Sequence, residues 1–290
     1  MKKEGFVMKY AITAATGRFG QAAFNQLKQL VPIEDIVIVA RNKEKAQAMF
    51  GNVTVRQADY DNVDALKQAF NGVNRVLFIS SQPGGQVPRL TQHLNVVEAL
   101  SANQVQLTVY TSFPKAETAI SALAHDHRET EKALTQSGLN AVFARNNWYL
   151  ENEQGFLSSG ATNQVAAFWA SGRAGWALER EYAEAAAKLL VAETHKSIYE
   201  FAGPINDYQA LGSALIAATG KKIDILAQTR TEYIEALEHT GLNHDMASLF
   251  ASFQAPIEEG SLDYGTTDLI DVLGHNLVPL PEAINDILKA

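Results

Sequence analysis

Near its start the chain reads Tyr10-Ala11-Ile12-Thr13-Ala14-Ala15-Thr16-Gly17-Arg18-Phe19-Gly20, and this segment indicates the fold class most clearly. Its first four residues predict a short β-strand, and the amphipathic pattern over residues 19–30 predicts a helix. Between them, Ala14, Gly17 and Gly20 follow a Gly-x-x-Gly-x-x-Gly spacing in which the first glycine is replaced. Glycine at such positions permits a tight turn and close packing of the helix on the strand.

The alternation of strand and helix continues from this turn to Arg145. Short runs rich in β-branched residues predict further strands at residues 36–40, 53–56, 75–79, 107–110 and 140–144. Amphipathic stretches between them predict helices at residues 43–50, 63–70, 90–102 and 127–137. Because strands joined by helix-length crossovers form parallel sheets, the sequence predicts an α/β fold with a Rossmann-type doubly wound sheet.

After Asn146 the pattern changes. Residues 155–175 are rich in glycine and predict loops with one short strand at 165–169. The patterns that follow predict a strand at 197–202 and helices at 182–192, 208–219, 230–237, 245–253 and 281–288. We therefore expect a Rossmann domain over residues 8–153 and a smaller, mainly helical α/β substrate lobe over residues 154–290. The strands of the lobe either stay within it or join the main sheet.

Composition excludes several classes of protein. The net charge of −8 argues against nucleic acid as a partner, because phosphate neutralisation needs a basic surface. There are no cysteines, which excludes disulfides, thiolate nucleophiles and Cys-ligated metals. No run of about 18 apolar residues is present, so we expect no membrane partner and a cytoplasmic protein. Residues 1–7 are expected to be a dispensable leader before the first strand.

The turn at residues 13–20 predicts a dinucleotide site. Backbone N–H groups at a helix N-terminus bind a diphosphate, and glycine lets them approach it closely. Glycines that serve packing alone are the alternative interpretation. We expect the pyrophosphate to be bound by the residues of the turn: Thr13, Ala14, Thr16, Gly17, Arg18, Phe19 and Gly20.

Arg41 follows the second strand, where NAD-selective proteins place an acidic residue for the ribose hydroxyls. An arginine there matches the oxygens of a 2′-phosphate, and Arg18 adds a second positive charge. The cofactor is therefore predicted to be NADPH, with an ordinary solvated arginine as the alternative. Further contacts are expected at strand ends, with Asp59 and Tyr60 bordering the adenine and Ser80, Ser81, Thr111 and Ser112 on the nicotinamide side.

Several longer motifs accompany the turn. They include Arg41-Asn42, Val55-Arg56-Gln57-Ala58-Asp59-Tyr60, His127-Arg128-Glu129-Thr130-Glu131-Lys132, Ser137-Gly138-Leu139 and Arg145-Asn146-Asn147-Trp148-Tyr149-Leu150-Glu151-Asn152. Together these motifs resemble the NmrA-like group of atypical short-chain dehydrogenase/reductases. The nearest resemblance is to its bacterial NAD(P)H:quinone oxidoreductases, with triphenylmethane reductases as relatives. In the second half the resemblance rests mainly on Arg180-Glu181-Tyr182-Ala183, and the turn departs from the pattern at Ala14.

The resemblance implies a preference for NADPH through Arg41 and a substrate cleft beside the Rossmann domain. It places Asn146 near the nicotinamide, with Trp148 and Tyr149 on the same wall. Arg180 and Tyr182 are implied at the substrate edge. The two aromatic residues are also of a kind that often belongs to a hydrophobic core.

The residues available for chemistry favour hydride transfer to a quinone. None of the nine tyrosines has a lysine four residues later, and Arg128 stands where the tyrosine would precede Lys132. A nicotinamide supplies its own hydride, so a quinone reductase needs mainly orientation and a dry site. Lys132 is a candidate contact for the nicotinamide ribose or Asn146, and an exposed lysine is the alternative. The His125-x-His127 pair is not expected to bind a metal, since matched carboxylates and cysteines are missing.

Three functions remain in consideration from the sequence. The favoured one is an NADPH-dependent oxidoreductase that acts on a small molecule, a quinone or similar conjugated acceptor. The second is a non-enzymatic NADP(H) sensor of the NmrA type that binds a regulatory partner. The third, a nucleotide-sugar epimerase, is disfavoured by the missing Tyr-x-x-x-Lys pair. A homodimer is an open alternative to a monomer.

Overall fold

The structure is a computed structural model that describes residues 8–289. The leader predicted at residues 1–7 lies outside these residues. Among residues 8–289, no helix combines the length and apolar composition needed to cross a bilayer.

Six parallel strands form the core of one large sheet. The strands of the chain are β1 (Tyr10–Thr13), β2 (Ile36–Ala40), β3 (Thr54–Gln57), β4 (Arg75–Phe78), β5 (Leu107–Ser112), β6 (Ala141–Asn146), β7 (Val165–Phe168), β8 (Ile198–Phe201) and β9 (Asp224–Ala227). The large sheet has the order β3-β2-β1-β4-β5-β6-β8, and the pairs from β3 through β6 are parallel. The predicted Rossmann-type sheet is confirmed, with its change of direction between β1 and β4.

Helices separate the strands along the chain. They are α1 (Arg18–Leu30), α2 (Lys43–Phe50), α3 (Val63–Ala69), α4 (Arg89–Ala102), α5 (Ala122–Gln136), α6 (Gln154–Asn163), α7 (Glu179–Val191), α8 (Tyr208–Thr219), α9 (Arg230–His239), α10 (His244–Ser252), α11 (Ala255–Glu258), α12 (Asp268–Leu273) and α13 (Leu280–Lys289). Several start at a polar N-cap whose side chain accepts from the backbone of the first turn, as Asn42, Asn62 and Asp207 do.

Apolar packing around the central strands stabilises the sheet. Every residue of β2 is buried, as expected for a strand covered by helices on both faces. A continuous apolar cluster includes Ala11, Val39, Val76 and Tyr110 from neighbouring strands, and helices α3 and α4 contribute to it. This packing holds the carboxyl ends of β1, β4 and β5 in register.

The second half contains elements that the sequence pattern did not predict. Residues 155–163, within the region predicted as loop, belong to helix α6 (Gln154–Asn163), and β9, α11 and α12 were also missed. The predicted strand at 197–202 exists as β8 and joins the large sheet, whereas β7 pairs in parallel with β9 in a separate two-stranded sheet. The helix predicted to start at His127 starts at Ala122.

By its internal contacts the chain divides into two compact units. One contains the chain up to Glu117, Ala124–Arg145 and Arg180–Tyr199. The other contains Thr118–Leu123, Asn146–Glu179 and the chain from Glu200. The domain boundary at residue 153 stays a prediction; α7, on its C-terminal side, clusters with the first unit.

Candidate functional site

The predicted phosphate turn lies at the carboxyl end of β1. Gly17 is the N-cap of α1; it carries no side chain that would cap the helix, and the first turn of α1 contains no acidic residue. Arg18 is exposed and Thr16 is half-buried. The positive end of α1 is thus built for an external anion, because neither a capping oxygen nor a carboxylate of the helix neutralises it.

Ala14 stands at the first position of the Gly-x-x-Gly-x-x-Gly spacing and adopts a left-handed backbone conformation that favours glycine. Its φ angle is +48°, and its carbonyl accepts from Gly17 N–H at 3.1 Å to close the turn. A side chain with a Cβ in the left-handed region costs about 1–2 kcal/mol. The alanine therefore keeps the shape of the turn at a cost in stability.

Gly20 is required by packing. A Cβ at this position would lie 2.5 Å from Ala15 Cα and 2.8 Å from the Ala15 carbonyl oxygen. Phe19 beside it is buried. Since only glycine fits, α1 approaches the turn closely enough for its N-terminus to face the ligand position. This is the role of the third glycine in dinucleotide-binding turns.

Thr13 and Tyr60 bond to each other and to β4. The Tyr60 hydroxyl donates to the Ile79 carbonyl at 2.7 Å and contacts Thr13 Oγ1, which accepts from Ile79 N–H at 3.0 Å and donates to the Leu77 carbonyl at 3.2 Å. Burial raises the pKa of Tyr60 above its usual value. These hydroxyls join the ends of the strands that flank the switch point, so they shape the site from within.

Arg41 and Asp59 lie beside each other after β2 and β3. Arg41 Nε is 4.0 Å from Asp59 Oδ2, with 79% of the arginine side chain exposed. The Arg41 carbonyl accepts from the Gln57 side chain at 3.0 Å, which fixes the backbone there. The guanidinium faces solvent and is loosely paired, so its donors are accessible to an anionic group.

Hydroxyl groups also connect β4 to β5 at their carboxyl ends. Thr111 Oγ1 accepts from Ser80 N–H at 2.9 Å and donates to Ser80 Oγ at 3.2 Å. Ser81 N–H donates to His93 Nε2 at 3.0 Å. The turn after β4 is therefore held by side chains of β5 and α4.

Ser112 belongs to a buried charged network. Its hydroxyl donates to Glu131 Oε1 at 2.5 Å. Arg145 binds Glu131 through Nε at 2.9 Å and through a terminal nitrogen at 2.6 Å, and it reaches Glu117 at 2.5 Å. Arg145 and Glu131 are buried, so this bidentate salt bridge fixes the C-terminal ends of β5 and β6 relative to α5.

Lys132 lies on the outer surface of α5. Its ammonium donates to Glu129 Oε1 at 2.7 Å, and 56% of the side chain is exposed. Its neighbour Glu131 faces inward. The contacts are those of a surface i,i+3 ion pair, and a catalytic role for Lys132 stays a prediction.

Asn146 ends β6 with one unsatisfied acceptor. Its Nδ2 donates to Tyr149 Oη at 2.9 Å. Among the described residues, its buried Oδ1 has no hydrogen-bond partner. A buried unpaired carbonyl is costly unless a ligand or water binds it. Asn146 is therefore oriented by Tyr149 and presents an acceptor.

Trp148 packs into a buried cluster around Glu153. Its indole Nε1 donates to Glu153 Oε1 at 3.1 Å, and Trp176 Nε1 donates to the same oxygen at 3.2 Å. Tyr208 donates to Glu153 Oε2 at 2.8 Å. Burial raises the pKa of Glu153 to about 7, although the three donors oppose the shift. Trp148 is thus a fixed member of the core beside Asn146 and Tyr149.

The two residues implied at the substrate edge lie near the start of α7. Arg180 is exposed, whereas Tyr182 is completely buried on the inner face of the helix. Their contact with a substrate stays a prediction.

Sequence reasoning missed three buried polar groups, which are Glu131 with Arg145, His93 with His127, and Glu153. A signal existed for the first pair, because Arg145 follows the apolar run of β6 and Glu131 occupies an inner position of α5. Glu153 gave no signal, since two of its partners come from segments 23 and 55 residues away.

Comparison with known proteins adds three likenesses that cover nearly the whole chain. Quinone oxidoreductase 2 of Escherichia coli (strain K12) is 34% identical over 285 residues, covering 96% of this chain and 98% of that protein. The crystal structure of triphenylmethane reductase from Citrobacter sp. has a TM-score of 0.91 at 30% identity, covering 98% of this chain and 100% of that one. The NADPH-dependent quinone oxidoreductase of Escherichia coli, complexed with NADPH, has a TM-score of 0.89 at 34% identity, with 96% and 99% coverage.

A family model described as NAD(P)H-binding matches residues 14–166, which include most of the turn and the strands from β2 to β6. The resemblance drawn from the sequence motifs is confirmed by these relatives. With more than half of its length matched by the model, the chain belongs to the NAD(P)H-binding family.

Proposed function

We propose that this protein is an NADPH-dependent oxidoreductase that reduces a quinone or a similar conjugated acceptor. The observation that carries the proposal is the construction of the turn after β1. The N-terminus of α1 has no side-chain cap and no acidic residue in its first turn. Gly20 allows α1 to pack directly against the backbone of the turn at Ala15. Such a turn binds a diphosphate through backbone N–H groups.

The residues present fit NADPH. We assign the pyrophosphate to the first turn of α1 and the 2′-phosphate to Arg41, with Arg18 as a second cation. Arg41 suits this role because its guanidinium is exposed and its backbone is fixed by Gln57. The unpartnered Oδ1 of Asn146 is an acceptor for an amide N–H, the kind of group that the carboxamide of a nicotinamide carries.

The nicotinamide, when bound, supplies the hydride. The chain contributes orientation through Asn146, which Tyr149 holds in one rotamer, and a dry wall through the buried Trp148. A quinone needs no strong protein acid, because its reduced oxygens take protons from water. This agrees with a chain in which no tyrosine has a lysine four residues later and in which Lys132 is paired with Glu129.

The relatives support this assignment through their names. One is named a quinone oxidoreductase and another a reductase of triphenylmethane dyes, and quinones and such dyes are both conjugated acceptors. The cytoplasmic localisation and a homodimer stay predictions.

The direct experiment follows NADPH consumption by the purified protein across a panel of benzoquinones and naphthoquinones, with NADH in parallel. We expect turnover that prefers NADPH. Tight NADPH binding without turnover of any acceptor would contradict the reductase and favour the NADP(H) sensor. Absence of binding would contradict both.

Arg41→Ala tests the cofactor assignment. Charged hydrogen bonds are worth about 1.5–3 kcal/mol, so we expect NADPH to bind about ten- to hundredfold more weakly. NADH, which lacks the 2′-phosphate, should bind with little change. Lys45→Ala is the matched control, since it removes an exposed cation from the next helix. Equal losses for NADPH and NADH in Arg41→Ala would refute the assignment.

A further inference from the structure

Behind the turn after β4 lies a buried cluster of two histidines, a tyrosine and a threonine. His93 lies on α4, Tyr110 on β5, and His127 and Thr130 on α5. His93, Tyr110 and Thr130 are completely buried, and His127 is nearly so. Arg89, at the start of α4, contacts the cluster from its edge. Nothing in the proposed chemistry uses these groups.

The hydrogen bonds of His127 have a defined direction. Arg89 donates to His127 Nε2 at 2.9 Å, and a guanidinium can only donate. Nε2 is therefore unprotonated, and the ring proton sits on Nδ1. That nitrogen lies 2.9 Å from Tyr110 Oη and donates to it. His127 is neutral and held in one tautomer.

His93 has a defined direction as well. The backbone N–H of Ser81 donates to His93 Nε2 at 3.0 Å, so that nitrogen is the acceptor. The proton on Nδ1 then points to Thr130 Oγ1 at 2.9 Å, and Thr130 donates onward to the Asp126 carbonyl at 2.6 Å. The imidazole thus connects the turn after β4 to the body of α5.

This cluster determines the shape of the Ser80–Ser81 turn. His93 binds Ser81 N–H, and Thr111 Oγ1 binds Ser80 N–H at 2.9 Å. Arg89 Nε donates to the Ser81 carbonyl at 2.6 Å. Three backbone groups of these two residues, the N–H of Ser80 and the N–H and C=O of Ser81, are therefore bound by side chains from α4 and β5. The turn lacks the backbone pairing of a strand, so these side chains replace it.

Charges around the cluster favour neutral imidazoles. Burial, and after it the charge of Arg89, lower the pKa of His93 to about 3. Burial and then the charges of Arg89 and His93 hold the pKa of His127 well below its usual value. The acidic groups that face Tyr110 are Glu131 and Asp126, both on α5. A protonated His93 would offer a second donor to Ser81 N–H and break this contact.

We propose that His93 is a positioning residue for the cofactor, which fixes the Ser80–Ser81 turn so that it receives the nicotinamide half of NADPH. Arg89 supports the same turn through its own hydrogen bond to the Ser81 carbonyl. The inference rests on the proposed function. If His93 only filled space in the core, any side chain of similar size could replace it without a change in cofactor binding.

A matched pair of variants tests the contact with Ser81. His93→Gln carries an oxygen at the place of Nε2 and keeps an acceptor for Ser81 N–H. His93→Asn reaches only the place of Nδ1, so it keeps the side facing Thr130 and loses Ser81. We expect His93→Asn to raise the Kd for NADPH at least about tenfold, with kcat changed less, and His93→Gln to stay within about threefold of the unchanged protein.

Titration calorimetry with NADPH and thermal unfolding of the same samples give the readout. Equal Kd values in the two variants, at equal melting temperatures, would overturn the inference and leave the proposed function intact. Absence of NADPH binding by the unchanged protein would refute the proposed function and the inference together.

Arg89→Met gives an independent test, which also serves if His93→Asn fails to fold. Methionine keeps the bulk of the arginine stem and removes the donors to the Ser81 carbonyl and to His127 Nε2. We expect the Kd for NADPH to rise at least about tenfold, with kcat changed less. An unchanged Kd at an equal melting temperature would show that the contacts of this cluster do not fix the turn for the cofactor, and it would overturn the inference.

Discussion

Glu153 is a buried carboxylate whose hydrogen-bond donors are all neutral. Trp148 and Trp176 donate to one oxygen and Tyr208 to the other. Burial is the largest influence and raises the pKa of Glu153 from 4.5 to about 7; it also holds the pKa of Tyr208 well above its usual value. Ionisation of the carboxyl group in the folded protein is therefore unfavourable, because burial removes its hydration and the three hydrogen-bond donors compensate for that only in part.

The direction of the pH effect follows from this shift. In the unfolded chain Glu153 ionises near pH 4.5, and in the folded chain near pH 7. The group stabilises the fold fully below pH 4.5, and this stabilisation is lost as pH rises through 7. Since one pKa unit equals 1.36 kcal/mol, the loss is about 3 kcal/mol. That is a large part of the stability of an ordinary domain.

Glu153→Gln removes the titration and keeps the shape. Its carbonyl oxygen accepts from the two indoles, and its amide donates to Tyr208 Oη. We expect the free energy of unfolding of the unchanged protein to fall by about 3 kcal/mol relative to the variant between pH 4.5 and pH 8.5. The three tryptophans are Trp148, Trp169 and Trp176, all in the second unit, so their fluorescence follows the unit that contains Glu153.

Urea unfolding at five pH values, followed by tryptophan fluorescence, measures the difference. Glu259→Gln is the matched control, because Glu259 is an exposed glutamate of the same unit. Its profile should run parallel to that of the unchanged protein. Parallel profiles for Glu153→Gln as well would show that the carboxyl group ionises alike in the folded and unfolded chains, which would refute the reasoning.

Two further predictions concern the phosphate turn. Gly20→Ala places a Cβ against the Ala15 backbone, so the helix or the turn must shift; we expect a loss of about 1–3 kcal/mol in urea unfolding and weaker NADPH binding in calorimetry. Gly155→Ala, where a Cβ meets open space in α6, is the control and should not destabilise; equal losses would contradict the packing argument. Ala14→Gly relieves a positive φ angle that costs about 1–2 kcal/mol, and the greater freedom of unfolded glycine returns about 0.5–1 kcal/mol. The variant should therefore be more stable by about 0.5–1 kcal/mol in urea, and a lower stability would exclude strain at Ala14.

The first half of the fold was predictable because its signals are local. Its strands are short runs rich in β-branched residues, the clearest being the fully buried β2, and amphipathic stretches for the helices lie between them. The chirality of crossovers then restricts the order of strands in a parallel sheet. The glycine turn was predictable for the same reason, since Gly17 and Gly20 stand at a spacing that a diphosphate and a close helix both require.

The second half was less predictable because packing overrides propensity. The sequence of α6 contains two glycines, two serines, a threonine and an asparagine, which are weak helix formers. The helix forms because Phe156 and Leu157 are buried and Gly160 lies against Leu215 of α8. Without the position of α8, 55 residues further along the chain, the pattern of residues 154–163 is that of a loop.

For the hydroxyl groups at strand ends, the residue type does not determine whether the group binds the cofactor or the neighbouring strand. Thr13 and Tyr60 were predicted to contact the cofactor, and their oxygens bind Leu77, Ile79 and each other. A hydroxyl that ends a parallel strand meets the ligand or the neighbouring strand, and its spacing in the sequence is the same in both cases. Which of the two it binds depends on the position of Ile79, which is 19 residues from Tyr60 and 66 residues from Thr13 in the sequence. Where the hydroxyl binds the neighbouring strand, it fixes the shape of the turns before NADPH binds. The entropy cost of ordering these turns on binding is then smaller.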